Sequence, residues 1–208
     1  MSYTKLAIIG TAGRKEDSDR LGPDHYQRMT EASIKLMTHL AIDPRELSLF
    51  SGGAAWSDHV VVSLAMIGVV PYERVCIYLP ADLSEDGYVG TEKWSNKVAQ
   101  TANYYHAKFF KVSGCDGIRE LNILRSLGGI LDTSKKGFKS RNTSVANAVS
   151  DNGILLAYTF GNGLTDQLPW TIRSFDPGTS ADAAGLKDGG SADTWNKCKS
   201  RKFHCRLG

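Results

Sequence analysis

Near its start the chain carries Lys5-Leu6-Ala7-Ile8-Ile9, a short and almost unbroken apolar run that stops at Gly10-Thr11-Ala12-Gly13-Arg14. An apolar run without alternation is buried on both faces, which is the condition of a strand inside a parallel sheet, and the glycine turn releases the chain into a crossover. The pattern then returns. Leu47 to Phe50 is a second short apolar run, it ends in Ser51-Gly52-Gly53-Ala54, and residues 56–67 follow as a helix that is apolar nearly all round. Between the two, Met29, Ala32, Leu36, Met37 and Leu40 recur at helical spacing, and Pro23 suits a helix start.

Further strands are predicted over 74–79, 153–160 and 202–207, with a short edge strand over 109–112, and further helices over 91–108, 117–127 and 142–149. Strands that alternate with helices are joined by right-handed crossovers. The fold class is therefore α/β: a single Rossmann-like, doubly wound, mostly parallel sheet with helices on both faces. At 208 residues, 41% hydrophobic and 23% charged, the chain suits one substantial core. The expectation is one domain over 1–208, interrupted by an irregular insert at 161–187 that is rich in Gly, Pro, Asp, Ser and Thr.

No apolar run approaches the roughly 18 to 20 residues of a membrane span, and MSYTKLAIIG is too short for a signal peptide. A soluble, cytoplasmic protein without membrane partners is expected. Cys76, Cys115, Cys198 and Cys205 lack redox or zinc spacing and read as free thiols. His25, His39, His106 and His204 show no metal spacing either and read as surface or interface residues, so neither metal nor cofactor is expected. Trp56, Trp94, Trp170 and Trp195 read as core or interface. The net charge is only +3, but Lys135, Lys136, Lys139 and Arg141 form one basic cluster and Lys197, Lys199, Arg201, Lys202 and Arg206 another. Such clusters are usually solvated faces.

In a doubly wound sheet, ligands bind in the crevice at the carboxyl ends of the strands. The turns at 10–14, 51–54 and 160–163 should reach that edge. A fourth turn, Asp188-Gly189-Gly190-Ser191-Ala192-Asp193-Thr194-Trp195, precedes a helix. Glycines let a ligand approach the backbone, and the unpaired first-turn amides of a helix receive an anion such as phosphate. Each glycine pair, taken alone, is also the mark of a tight connection. No turn is a Walker loop or a GxGxxG fingerprint, which disfavours NTPase and NAD-dehydrogenase readings. Asp58 follows the second turn and suits hydrogen bonding to its amides.

Taken in order, Ile9-Gly10-Thr11-Ala12-Gly13-Arg14, Ser51-Gly52-Gly53-Ala54 with Asp58, Arg141-Asn142, the strand Ile154-Leu155-Leu156-Ala157-Tyr158, and Gly189-Gly190-Ser191-Ala192-Asp193-Thr194 resemble the SLOG superfamily. That group joins the Smf/DprA DNA-processing proteins, the LOG phosphoribohydrolases and YpsA-like proteins. The resemblance implies a nucleotide or nucleotide-derived ligand across the carboxyl edge, with its phosphate on 189–194 and its base or ribose near 10–14 and 51–54. It also implies a homodimer or higher homo-oligomer.

LOG enzymes carry Pro-Gly-Gly-x-Gly-Thr-x-x-Glu. Aligned on Gly189-Gly190, this chain has Asp188, Ala192, Asp193 and Asn196 where that run has Pro, Gly, Thr and Glu. An amide is no general base. Asp193 is the remaining candidate for catalysis, although a helix-start Asp more commonly caps. Binding in a sensing, carrier or sequestering role is therefore preferred to N-glycosidic hydrolysis of nucleoside monophosphates. Phe138-Lys139-Ser140-Arg141-Asn142 resembles the Phe-x-x-Arg-Asn stretch of the DprA branch, so single-stranded DNA binding is a third reading.

Overall fold

The computed structural model describes residues 3–163, 166–187 and 189–208. In chain order the first half holds β1 (Lys5–Gly10), α1 (Asp17–Arg20), α2 (Pro23–His39), β2 (Ser48–Ser51), α3 (Val60–Met66), β3 (Val75–Tyr78), β4 (Asp82–Ser84), β5 (Gly87–Val89) and α4 (Lys93–Ser113). The second half holds α5 (Gly117–Ser126), β6 (Ile130–Asp132), α6 (Phe138–Ala148), β7 (Gly153–Thr159), β8 (Ile172–Phe175), α7 (Gly190–Lys197) and β9 (Arg201–Arg206). Seven strands form one sheet in the order β6-β3-β2-β1-β7-β9-β8, and β4 and β5 form a separate hairpin. All neighbours in the large sheet are parallel except β8, which runs antiparallel to β9. The chain is a doubly wound, Rossmann-like α/β fold.

The unbroken apolar runs have the expected cause. Leu6 and Ile8 of β1 and Ile154, Leu156 and Tyr158 of β7 face a core shared with Met29, Leu36 and Met37 of α2, Val60, Val61 and Leu64 of α3, Phe109 of α4 and Leu121 of α5. Ala7, Ile9, Leu155 and Ala157 face the other way, onto Val145 and Val149, Trp195 and the 181–186 segment. Both faces of the central strands are covered, so no residue in them is free to be polar. Tyr158 and Thr159 at the end of β7 are exceptions, and each is satisfied: the Tyr158 hydroxyl donates to the Met29 carbonyl at 2.8 Å, and Thr159 Oγ1 bonds His204 at 2.9 Å.

Several expectations are corrected. Residues 109–112 are not a strand: α4 runs on to Ser113 and stops at Gly114, whose φ of 73° is left-handed. Phe109 is fully buried at helical spacing from Tyr105 and Ala102 on the face that packs against the core, so tertiary burial overrides the local β character. Helix α6 begins at Phe138, four residues before the expected start, which places Arg141 in its first turn and Asn142 at the start of its second. The 161–187 segment is not wholly irregular, because it supplies β8. Lys202 does not belong to a solvated basic face. It is 1% exposed, donates to the Thr179 carbonyl at 3.1 Å and lies 5.3 Å from the Trp195 ring centre. Trp94 is about half exposed rather than core. The four cysteines are free thiols, as expected. No helix among the described residues is long and apolar enough to cross a membrane.

Two of the histidines read as surface residues are buried. His106 binds the Gly53 carbonyl at 3.1 Å through Nε2. His204 is held between Thr159 Oγ1 at 2.9 Å and the Ala184 carbonyl at 3.0 Å. Burial pushes both imidazoles down to about 4, assisted by His59 beside His106 and by Arg206 beside His204. The unfolded chain therefore takes up protons near pH 6.5 that the native state refuses until about pH 4. Stability is expected to fall as pH drops through that window, with a slope approaching two protons. Urea unfolding at pH 7, 6 and 5 checks it: a flat midpoint across the series contradicts neutral burial of both rings.

Candidate functional site

Strands β2, β3 and β6 lie on one side of β1, while β7 and β9 lie on the other. Strand order thus reverses between β1 and β7, and the crevice beyond their carboxyl ends is the switch point where such sheets bind ligands. A cavity of about 560 Å³ occupies it. Ile9 and Gly10 of β1 and Thr159 of β7 line its floor, the Thr11, Ala12 and Arg14 stretch one wall, and Gly52, Ala54 and Asp58 another. Phe138, Lys139, Arg141 and Asn142 come from the start of α6, and Gly189, Gly190, Ser191, Asp193 and Thr194 from the start of α7.

The remaining residues singled out in the sequence stand behind these walls. Gly13 packs against Trp56, and a Cβ there would lie 2.9 Å from the indole nitrogen. Ser51 is buried with its hydroxyl accepting from Gly53 N–H at 3.4 Å. Gly53 supports its own turn, and Ala192 belongs to the second core cluster. Asp188 lies outside the described residues. Residues that the sequence reading does not assign to the site also reach the cavity: Ile9, Lys15, Asp17, Phe138, Lys139, Val145, Thr159 and Lys187. Of these, Ile9 stands at the head of the first quoted motif, and Phe138 and Lys139 neighbour Arg141-Asn142; the others carried no signal.

The first turn is braced from within. Thr11 Oγ1 donates to Asp17 at 2.7 Å and accepts from Gly13 N–H at 3.1 Å. Ser191 Oγ reaches across from α7 to the Gly10 carbonyl at 2.7 Å. Lys187 pairs with Glu16 and stands 3.6 Å from Asp17, so the 161–187 segment is tied to the start of α1. The Arg14 guanidinium lies 5.2 Å from the ring centres of both Tyr105 and Phe138.

The second turn is held from several sides. The Asp58 carboxylate accepts from Gly52 N–H at 3.1 Å and Ala54 N–H at 3.4 Å, as its position after the turn suggests. Arg141 Nη1 donates to the Gly52 carbonyl at 3.0 Å, and Tyr88 and His106 bind the Gly53 carbonyl at 2.8 and 3.1 Å. Burial pushes the Asp58 carboxyl up, while Arg141 and the surrounding amides pull it back. Burial likewise pulls Arg141 below its ordinary value, opposed by Asp58 and Tyr88. The two charges oppose each other's desolvation, and Arg141 both lines the cavity and holds the turn through the Gly52 carbonyl.

At the third wall Asn142 Nδ2 donates to the Gly190 carbonyl at 3.2 Å and to Asp193 at 3.0 Å, and Lys197 donates to the same Asp193 oxygen at 2.8 Å. Asp193 therefore does not cap α7; Gly189 occupies the cap position, where no side chain bonds. Burial by itself raises the Asp193 carboxyl, but the bonds from Lys197 and Asn142 outweigh it and hold the group below its ordinary value. Asn196 turns away from the cavity, and its Oδ1 accepts from Ala181 N–H at 2.8 Å. The basic clusters are also redistributed: Lys136 pairs with Asp82, Arg141 is buried, and Lys139 alone of the first cluster joins Arg141 in lining the cavity.

An uncharacterized protein of Acanthamoeba polyphaga mimivirus, R261, is 29% identical over 208 residues, which span 96% of this chain and 93% of that protein. No protein-family model and no solved structure matches the chain.

Proposed function

We propose that the chain belongs to the SLOG superfamily and binds a nucleotide or nucleotide-derived phosphorylated ligand in the cavity at the carboxyl edge of the sheet, in a sensing, carrier or sequestering role. One observation carries this reading: the first turns of α6 and α7 converge on a single cavity at the switch point, beside Arg14, Lys139 and Lys187. Helix starts present unpaired amides and partial positive charge, and Arg14 and Lys139 add full charges while Lys187 is already paired with Glu16, so this wall suits a phosphate. The cavity volume lies within the roughly 300 to 1,000 Å³ usual for small-ligand sites.

A second reading, N-glycosidic hydrolysis, is favoured by the Asp193 carboxylate, which faces the cavity and is held ionised. Against it, Asn196 supplies no carboxylate and faces the 161–187 segment. Calorimetric titration with AMP, ADP-ribose, cyclic ADP-ribose and a single-stranded oligonucleotide, followed by chromatography for free base, separates these readings. Binding of a mononucleotide or ADP-ribose without base release is expected. Base release abolished by Asp193→Asn, with binding kept, would promote hydrolysis, and oligonucleotide binding alone would promote the nucleic-acid reading.

The same titration tests the phosphate wall. A Cβ at Gly190 meets only Asn142 Nδ2, at an ordinary 3.5 Å, so larger side chains are accommodated at the expense of the cavity rather than the core. Gly190→Val is expected to fold and to lose at least about tenfold in affinity, or about 1.4 kcal/mol. A folded variant with unchanged affinity removes this turn from the site.

A further inference from the structure

Outside the lining of the cavity, three side chains from distant parts of the chain converge. His59 directly precedes α3, Cys115 lies in the link from α4 to α5, and Glu120 stands in the first turn of α5. Their ligand atoms lie within 4.8 Å of one another, and His59 Nε2 is 2.9 Å from Glu120 Oε2. From these juxtaposed donors we propose that His59, Cys115 and Glu120 form a binding site for a divalent transition-metal ion of the zinc class.

The donor set fits the ion. Zinc is held by imidazole nitrogen, thiolate sulfur and carboxylate oxygen at about 2.0 to 2.3 Å, which in a tetrahedron sets ligand atoms about 3.3 to 3.8 Å apart. The three atoms are within about an ångström of that spacing, so small side-chain adjustments suffice. Mixed sulfur and nitrogen donors select zinc-like ions over magnesium or calcium. His59 is fully buried and fixed, whereas Cys115 and Glu120 are partly exposed, which leaves an approach from solvent and a fourth position for water.

A second observation points the same way. His59 Nδ1 and His106 Nδ1 are both buried with no hydrogen-bond partner among the described residues, and the two rings pack edge to face, 5.9 Å apart. His106 Nε2 must carry a hydrogen, because its partner is the Gly53 carbonyl, so its Nδ1 is a bare acceptor. His59 Nε2 donates to the Glu120 carboxylate in the same way. With a cation on His59 Nε2, the ring hydrogen moves to Nδ1, a buried atom that has no hydrogen-bond partner among the described residues and would gain one from His106 only through a ring adjustment. Ligating histidines are commonly held by such a bond on their second nitrogen. On binding, the Cys115 thiol proton leaves to solvent as the sulfur coordinates as thiolate.

The experiment is titration of the whole, metal-stripped protein with Co(II), followed by optical absorption and competition with Zn(II). One equivalent of Co(II) is expected to give a thiolate-to-cobalt charge-transfer band together with the visible bands of a tetrahedral ion, and Zn(II) is expected to displace it. Cys115→Ser should abolish the charge-transfer band, and Glu120→Gln should weaken binding by more than about tenfold, on the scale set by losing a supporting partner. Both positions are partly exposed, so the variants are expected to fold, which circular dichroism confirms; Cys76→Ala serves as the control that keeps the band. No band at one equivalent, or a band that survives Cys115→Ser, overturns the proposal. None of the three residues lines the cavity, so neither outcome bears on the nucleotide reading.

Discussion

Replacing Gly10 by alanine is expected to cost more than about 3 kcal/mol, as strained backbone and overpacking act together at one position. Gly10 ends β1 with φ of 154°, and a Cβ there would lie 2.0 Å from the Tyr158 carbonyl oxygen and 2.7 Å from Ser57 Oγ. The first obstacle is backbone, so no rotamer change relieves it. That same carbonyl accepts from Thr11 N–H at 2.8 Å, and separating β1 from β7 to admit a methyl group breaks this bond where the cavity floor is formed. Urea denaturation with intrinsic fluorescence measures the loss. A variant within 1 kcal/mol of the parent would show that the two strands part more easily than this packing implies.

Asp58→Ala is expected to cost about 2 to 5 kcal/mol, since each buried donor left without its acceptor costs about 1 to 3 kcal/mol and the nearby buried Arg141 loses a compensating charge. The carboxylate holds two amides of the second turn and offsets the buried Arg141 guanidinium, and a Cβ on Gly52 would lie within 2.7 Å of Asp58 Oδ2 and 2.6 Å of Arg141 Nε. Truncation therefore leaves unpaired N–H groups and an uncompensated cation in the same place. Asp58→Asn keeps an acceptor for the amides and is expected to lose less than the alanine variant. Equal losses in the two variants would assign the whole effect to charge; a negligible loss in both would remove Asp58 as the support of the turn.

What was legible in the sequence followed burial. Strands β1 and β7 are covered on both faces, so their apolar runs are continuous and their glycine stops stand out. Strands β6 and β8 have one side open, are three and four residues long, and show no pattern long enough to separate from loop. The glycine turns located the cavity because backbone approach needs glycine wherever it occurs. Lys187 and Asp17 escaped notice because a charged residue has no sequence mark that separates a cavity wall from a solvated surface. Asp193 carried a capping expectation from its place near a helix start, but Asn142 and Lys197, one of them from another helix, claim its carboxylate. His59, Cys115 and Glu120 have no recognisable spacing, since packing of α3 against α5 is what brings them together.

The antiparallel strand β8 decides how the chain tolerates shortening. Residues 161–187 look like an insertion that a related protein could shed, yet β8 pairs with β9 from Ile172 opposite Cys205 to Phe175 opposite Lys202. Beside it, Gln167 donates to the His204 carbonyl at 2.9 Å and Trp170 N–H to the Arg206 carbonyl at 2.7 Å. Excising the segment would leave β9, a largely buried strand, with a bare row of amides and carbonyls along one side. Such an edge invites pairing with another chain. The excised protein would not be a leaner domain but an aggregation-prone one, and a circular permutation or tag insertion aimed at this apparent loop would meet the same difficulty.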